Sequence, residues 1–281
     1  MTVNIIVLHY RKPDDTIDCL KSIAKLEKSN IRIKILLIDN NPNDIVSSNL
    51  FRDLHGMLKQ VQHDIDLEVI KNRKNLGFAG GINIGIKEAL KDKDTDYILI
   101  LNNDTILPPL LLTELLRNPA DITAPVVKFK WDNQWKYDFG GKVNWNIGRT
   151  YHLETNNWAM KQFGNETIDY VSGCCLLVKR RVFEEIGLFD ERFFFYFEDA
   201  DFCLRAKKAG FNIMVNPNIS IYHKLGRSIG RWSNRAIFYN LLGNFLFITK
   251  NLGFRIPIGY IYLLLLTGKI IINRLMSFRG Q

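Results

Sequence analysis

The sequence predicts an α/β fold: a first half of βαβ units on a parallel sheet, a second half of short strands and hairpins, and a C-terminal helical extension. Three observations predict it. Short apolar, β-branched runs recur through residues 3–101, separated by segments with the period of a helix. Clusters of Gly and Asn then punctuate residues 122–178. Beyond residue 228, two long apolar stretches follow one another between basic residues.

Val3-Asn4-Ile5-Ile6-Val7-Leu8 is apolar almost throughout, as expected of a strand buried on both faces. Asp14 or Asp15 is placed to cap a helix carrying Ile17, Leu20, Ile23, Ala24 and Leu26, and residues 33–38 form a second buried strand. These make one βαβ unit. A polar helix, the strand Leu67-Glu68-Val69-Ile70, a glycine-rich segment, a short helix over 82–90 and the strand 97–101 complete a Rossmann-like half. From 122 to 178 the pattern reads as hairpins, separated at Gly140-Gly141, Asn144, Gly148 and Asn156-Asn157. Residues 182–185 and 202–209 look helical, the latter closing on Gly210 before a strand over 212–215. The domain is expected to span 1–228, with 229–281 as the extension.

A chain of 281 residues can bury a substantial core, and 47% hydrophobic with 24% charged residues excludes disorder as the general state. The net charge of +9 suits nucleic acid, an anionic membrane or a phosphorylated substrate, and does not choose among them. Cys19, Cys174, Cys175 and Cys203 lack metal-ligand spacing and make a poor disulfide framework, so buried thiols in a reducing compartment are expected. No basic region precedes the short apolar run at the N-terminus, so no signal peptide is expected, and cytoplasmic residence follows.

The tail segments 236–249 and 256–272 are flanked by Arg231, Arg235, Lys250, Arg255, Lys269 and Arg274. Pro257, Gly259, Gly268 and Lys269 interrupt the second, so interfacial helices on an anionic membrane surface fit better than a span. Two ordinary buried helices are the alternative.

Ligands of an open parallel sheet bind beyond the carboxyl ends of its strands. His9-Tyr10, Asp39-Asn40-Asn41 and Asn102-Asn103-Asp104 each follow a strand. A turn or cap explains any one of them, and their recurrence points to a site. Asp39 is suited to accept a hydrogen bond from a nucleotide base, with His9 and Tyr10 lining the base or ribose pocket. The glycine-dense segment from Asn75 to Gly85 allows close approach to a phosphorylated ligand, which sets Asn41, Asn75, Gly80 and Asn83 on the same donor side. Its spacing departs from the dinucleotide pattern and no acidic residue sits suitably downstream, which argues against a dehydrogenase.

Asn102, Asn103 and Asp104 supply hard oxygen donors suited to Mg2+ or Mn2+ that a diphosphate also holds, and His223 is a second candidate ligand. Glu198-Asp199-Ala200-Asp201 follows the aromatic run 193–197. Apolar neighbours and mutual repulsion raise a carboxyl pKa, which suits one of the three acids to general-base work. An acidic first turn of a helix is the alternative.

In this order, Tyr10, Asp39-Asn40, the 75–85 segment, Asn102-Asn103-Asp104, Gly173, residues 187–191, residues 194–201 with Leu204-Arg205, Gly210, Pro217 and His223 resemble glycosyltransferase family 2, in its rhamnosyltransferase-like branch. The resemblance covers residues 3–228. It implies a GT-A fold with a mixed central sheet, an inverting single displacement, and a nucleoside-diphosphate sugar donor bound through Mg2+ or Mn2+. By the same resemblance Asp39 contacts the base, Asp104 binds the metal and His223 is the late metal or diphosphate ligand. Asp199 is the catalytic base, with Glu198 and Asp201 on the acceptor side. The implied donor is dTDP-rhamnose or otherwise a UDP-sugar. The acceptor is a glycan or lipid-linked glycan, used in cell-surface polysaccharide synthesis at the inner face of the plasma membrane. Asn102 stands where the family more often has aspartate, and Gly243-Asn244 where many relatives have Arg-Asn. A nucleotidyltransferase is the alternative enzyme. A nucleic-acid partner is not expected, because the acidic cluster and strand-end motifs would serve nothing there.

Overall fold

Strands that are apolar on both faces occupy the centre of a single mixed sheet, and the ends of those strands carry the polar residues. The computed structural model describes residues 1–27, 30–41, 66–158, 168–225 and 233–279. Strands β1 (Thr2–His9), β2 (Arg32–Asp39), β3 (Asp66–Lys71) and β4 (Thr95–Asn102) run parallel, with β1 between β2 and β4. Two-residue β5 (Thr105–Ile106) follows at once. After it come β6 (Ile122–Trp131), β7 (Gln134–Asn144), β8 (Arg149–Thr155), β9 (Cys175–Lys179) and β10 (Ile213–His223). The sheet order is β3-β2-β1-β4-β9-β6-β10-β5, with β7 and β8 branching from β6. Antiparallel β9 joins the two halves, so the sheet is mixed as expected.

Helix α1 (Pro13–Ile23) opens with Pro13, whose missing N–H costs nothing in a first turn, and Asp14 and Asp15 sit inside that turn instead of capping it. Helix α2 (Gly77–Lys91) corrects the reading of 75–85 as a loop: the helix begins at Gly77 and contains the glycines. They are there for packing. A Cβ on Gly81 would lie 2.5 Å from Leu8 Cδ1, and one on Gly85 would lie 2.6 Å from Ile6 Cγ2. Close seating on β1 outweighs the cost of about 1 kcal/mol that each glycine imposes on a helix.

Gly140-Gly141 is likewise no turn, since both lie inside β7 at a register shift against β8. Helices α3 (Leu111–Arg117), α4 (Arg180–Ile186) and α5 (Glu198–Lys208) cover the sheet, and α5 starts at Glu198, ahead of the expected 202. The polar helix expected before residue 67 and the 228/229 division lie outside the described residues.

One core cluster packs α2 and α5 on the sheet through Ile6, Ile100, Phe202 and Phe247, and another packs α1 and α3 through Val7, Leu99 and Leu111. All four cysteines are free and buried, and burial pushes the Cys19 and Cys203 thiols up to about 12. Helix α6 (Asn234–Asn251) belongs to the core, with Phe247 and Ile248 fully buried. Helix α7 (Ile256–Arg279) is continuous through Pro257 and Gly268 and folds back on α6, with Tyr260 stacked on Phe245 at 5.3 Å. Gly253–Met276 contains an 18-residue stretch with a mean hydropathy of 1.6, and the segment is long and apolar enough to cross a membrane by length and composition.

Candidate active site

The shortest strand sets the most specific contact in the molecule. β5 pairs antiparallel with the end of β10, His223 opposite Thr105, which brings Asp104 Oδ1 to 3.0 Å from His223 Nε2. Both side chains are largely buried. Burial works against the Asp104 charge, but His223 outweighs it and holds the carboxyl below its usual range. Burial works against the His223 charge as well, yet Cys174 and Asp104 lift the imidazole to about 10. Asn102 Nδ2 lies 3.5 Å from the same Nε2. Asn103 is an anchor, its amide donating to Thr16 Oγ1 at 2.8 Å and so tying the β4 end to α1.

The ends of β1 and β2 meet α2 around Asn40. Its amide donates to Asn75 Oδ1 and the Gly77 carbonyl, both at 2.9 Å, and its oxygen accepts from Asn72 and Leu76. Tyr10, Asn40 and Asn75 line the central cavity. Gly77 has φ +74, and a Cβ there would lie 2.3 Å from the Phe194 carbonyl oxygen, so glycine is required for α2 to start against the acidic turn.

Three donor-side expectations are corrected. His9 is buried with Nδ1 2.7 Å from Thr16 Oγ1, and it does not line the cavity. Asn83 is committed to the 187–191 turn, donating to the Phe189 carbonyl at 2.9 Å and accepting from the Phe189 N–H at 3.0 Å. Gly80 is buried in α2 against Leu76. Asp39 and Asn41 hold the β2 end, the Asn41 N–H donating to Asp39 Oδ1 at 3.0 Å, next to residues 42–65.

Tyr196 and Phe197 both adopt left-handed backbone, φ 73 and 71, immediately before α5. Such strain is held only where surrounding contacts determine it, and it collects at functional sites. Here it turns the first residues of α5 so that Asp199 faces the cavity, with its oxygens accepting from the N–H groups of Gly173 (3.0 Å) and Ala200 (2.8 Å). Burial raises the Asp199 pKa, and the backbone donors and His152 oppose that rise.

Its neighbours do other work, which corrects both acceptor-side expectations. Glu198 is buried away from the cavity, and burial followed by the Asp199 charge pushes its pKa well up. Asp201 is 0% exposed and pairs with Lys250 at 2.7 Å and Arg205 at 2.9 Å, tying α5 to α6. Asp201→Ala leaves those cations without their buried partner. It should lower stability by about 3 kcal/mol in urea unfolding while leaving the acceptor KM unchanged, and a raised KM with native stability would restore Asp201 to the acceptor site.

The cavity, about 690 Å³, is lined on one side by Asn102, Asp104 and His223 and on another by Asp199. A third wall comes from the β7–β8 hairpin, with Asp138, Arg149, His152 and Glu154. Asp138 Oδ2 and His152 Nδ1 are 2.8 Å apart, and Arg149 Nη1 donates to Asn240 Oδ1 at 2.9 Å. No sequence motif marks these residues, because only the register of β7 on β8 brings them to the cavity. The fourth wall is apolar: Ile237, Leu241, Leu266 and Ile270 from α6 and α7.

Among known proteins, the model of "Glycosyl transferase family 2" matches residues 4–187. The chain is 24% identical over 217 residues to the low-salt glycan biosynthesis hexosyltransferase of Haloferax volcanii, covering 75% of this chain and 63% of that protein. It is 25% identical over 233 residues to a rhamnosyltransferase of Escherichia coli, covering 78% and 88%. The fold is similar to that of GalNAc-T7 in its crystal structure with UDP, GalNAc and Mn2+, with a TM-score of 0.63 at 15% identity over 89% of this chain and 48% of that one. The chain therefore spans less than two thirds of the Haloferax protein and about half of the GalNAc-T7 chain. The architecture is the GT-A α/β fold with its mixed sheet.

Proposed function

Because the chain belongs to glycosyl transferase family 2, we propose that it moves a sugar from a nucleoside-diphosphate donor to an acceptor hydroxyl, with inversion. The observation that carries this reading is one cavity lined both by the Asp104–His223 pair and by the carboxylate of Asp199. Asp199 takes the proton from the acceptor hydroxyl, whose oxygen attacks the anomeric carbon on the face opposite the diphosphate. The bond from that carbon to the diphosphate oxygen breaks, and the nucleoside diphosphate leaves. A carboxylate made more basic by burial, with the N–H groups of Gly173 and Ala200 opposing that rise, suits that task.

The donor set fits a divalent ion. Asp104 Oδ1 and His223 Nε2 are 3.0 Å apart, the separation of neighbouring ligands about 2.1 Å from an octahedral ion, which would take the place of the imidazolium proton between them. Among the described residues no cluster of three acidic, His or Cys side chains could hold one alone, so diphosphate oxygens would complete the shell. We assign Mg2+ or Mn2+ to this pair, and the GalNAc-T7 structure contains Mn2+. Such an ion neutralises charge developing on the departing diphosphate. Tyr10 and Asn40 line the place we assign to the base and ribose, with Asp39 buried at the end of β2 next to Asn40 and outside the cavity lining.

A rhamnosyl or other hexosyl donor, with a role in polysaccharide synthesis, is supported by the names of the Escherichia coli and Haloferax relatives. The apolar wall of Ile237, Leu241, Leu266 and Ile270 supports a lipid-linked glycan as acceptor. Screening nucleoside-diphosphate sugars for nucleoside-diphosphate release, with an alkyl glycoside as acceptor, tests the reading. No release with any of them would remove it.

The same reading sets the enzyme at the cytoplasmic face of an anionic membrane. Residues 233–279 contain six Lys or Arg and no Asp or Glu, and α7 turns Ile261, Leu264 and Leu265 outward. Leu264 and Leu265 are 73% and 68% exposed. Because α6 is part of the core, point variants serve better than deletion of the tail. Leu264→Ser with Leu265→Ser in the full chain should float less with phosphatidylglycerol vesicles and keep its melting temperature, and unchanged flotation would count against docking through α7.

A further inference from the structure

The β7–β8 hairpin contains a feature that transfer chemistry as described leaves unused. Asp138 pairs with Glu154 across the hairpin and Gly141 pairs with His152, so β7 places Phe139 and Gly140 where β8 has only Leu153. That extra residue is a β-bulge, a device that re-aims side chains beside active sites. Its consequences are local and specific. The Asp138 carboxylate is buried and fixed by accepting from the Gly140 N–H at 2.9 Å. The Tyr170 ring fills the space above Gly141 and meets the His152 ring edge-on at 5.4 Å. His152 is thus held between a fixed carboxylate and a fixed ring, lining the same cavity as Asp199.

We propose that the bulge in β7 seats His152, held in place by Asp138, as the counter-charge of Asp199, making His152 a positioning residue that favours the ionised carboxylate ready for the acceptor proton. This rests on Asp199 being the base. The surroundings of Asp199 need such a charge. Glu198 on its own helix and Asp138 across the cavity are both acidic, burial favours the protonated form, and among the described residues its oxygens accept from the backbone N–H groups of Gly173 and Ala200. His152 faces Asp138 from β7, Glu154 from β8 and Asp199 from α5. Burial lowers its basicity, but those three acids outweigh burial and raise it to about 9, so it is cationic at neutral pH. Solvent reaches 40% of the His152 side chain, which screens the pair and limits the shift it exerts.

The test is the pH profile of kcat/KM in the full-length enzyme. His152→Gln should move the acidic limb upward by about one pH unit, recover within a few-fold of the wild-type rate on the alkaline plateau, and leave the donor KM unchanged. His152→Lys restores a positive charge and should move the limb back. Three outcomes overturn the proposal: an unmoved limb in the Gln variant, a rate lowered equally at every pH, or a natively folded Lys variant that fails to restore the limb. Failure of the base assignment is a separate result, seen as normal turnover by an Asp199 variant.

Discussion

Asp199→Asn should lower kcat by on the order of a thousandfold while leaving the donor Kd nearly unchanged. The substitution keeps the size of the side chain and its place at the start of α5, and removes the capacity to take a proton. Asparagine can still accept from Gly173 N–H through its oxygen, so the turn and the cavity should persist. Single-turnover transfer with calorimetric donor binding checks both halves. An asparagine variant with normal turnover would remove Asp199 as base, and one that loses donor binding as well would point to a collapsed site. The neighbouring acids cannot substitute. Glu198 is buried away from the cavity, and Asp201 is locked between Lys250 and Arg205.

Asp104→Ala should act on the other substrate. It removes the carboxylate of the Asp104–His223 pair proposed to hold a divalent ion at the β5–β10 junction. The expected result is at least about tenfold weaker binding of a nucleoside diphosphate in the presence of Mn2+. In EDTA, the variant and the wild type should bind alike. Equal binding in Mn2+ would overturn the metal assignment. Asn102 standing beside His223 adds no charge to the site, so in the proposed coordination Asp104 would be the anionic protein ligand beside the diphosphate oxygens.

The sequence made the central sheet legible because β1, β2 and β4 are buried on both faces and read as apolar runs. It misled at glycine. Gly81 and Gly85 signal a loop by composition, yet what they supply is the close approach of a helix to β1, a relation between segments that one segment cannot display. Gly140-Gly141 misleads in the same way, marking a bulge in a strand where a turn was expected. At the site, Asp104 and His223 were visible because strand ends are where ligands meet such a sheet. Within 198–201, composition identified the acidic turn but not the division of labour. Two residues on a helix are about 200° apart around its axis, so when Asp199 faces the cavity Asp201 must face the core. Asp138 and His152 were invisible, since their 2.8 Å contact exists only in one hairpin register.

β5 is only two residues long, at the edge of the sheet, and the rung from Thr105 to His223 sets Asp104 beside His223, the pair assigned to the metal. A strand of that length at a sheet edge belongs to the least protected part of a native structure, the part that opens without global unfolding. Anything that bridges Asp104 and His223 binds the closed edge and not the open one, so it draws the equilibrium toward closure by mass action. On the proposed assignment, donor occupancy and the integrity of this corner would be one thermodynamic quantity: loading the donor would fasten the seam of the sheet, and release of the nucleoside diphosphate would loosen it again.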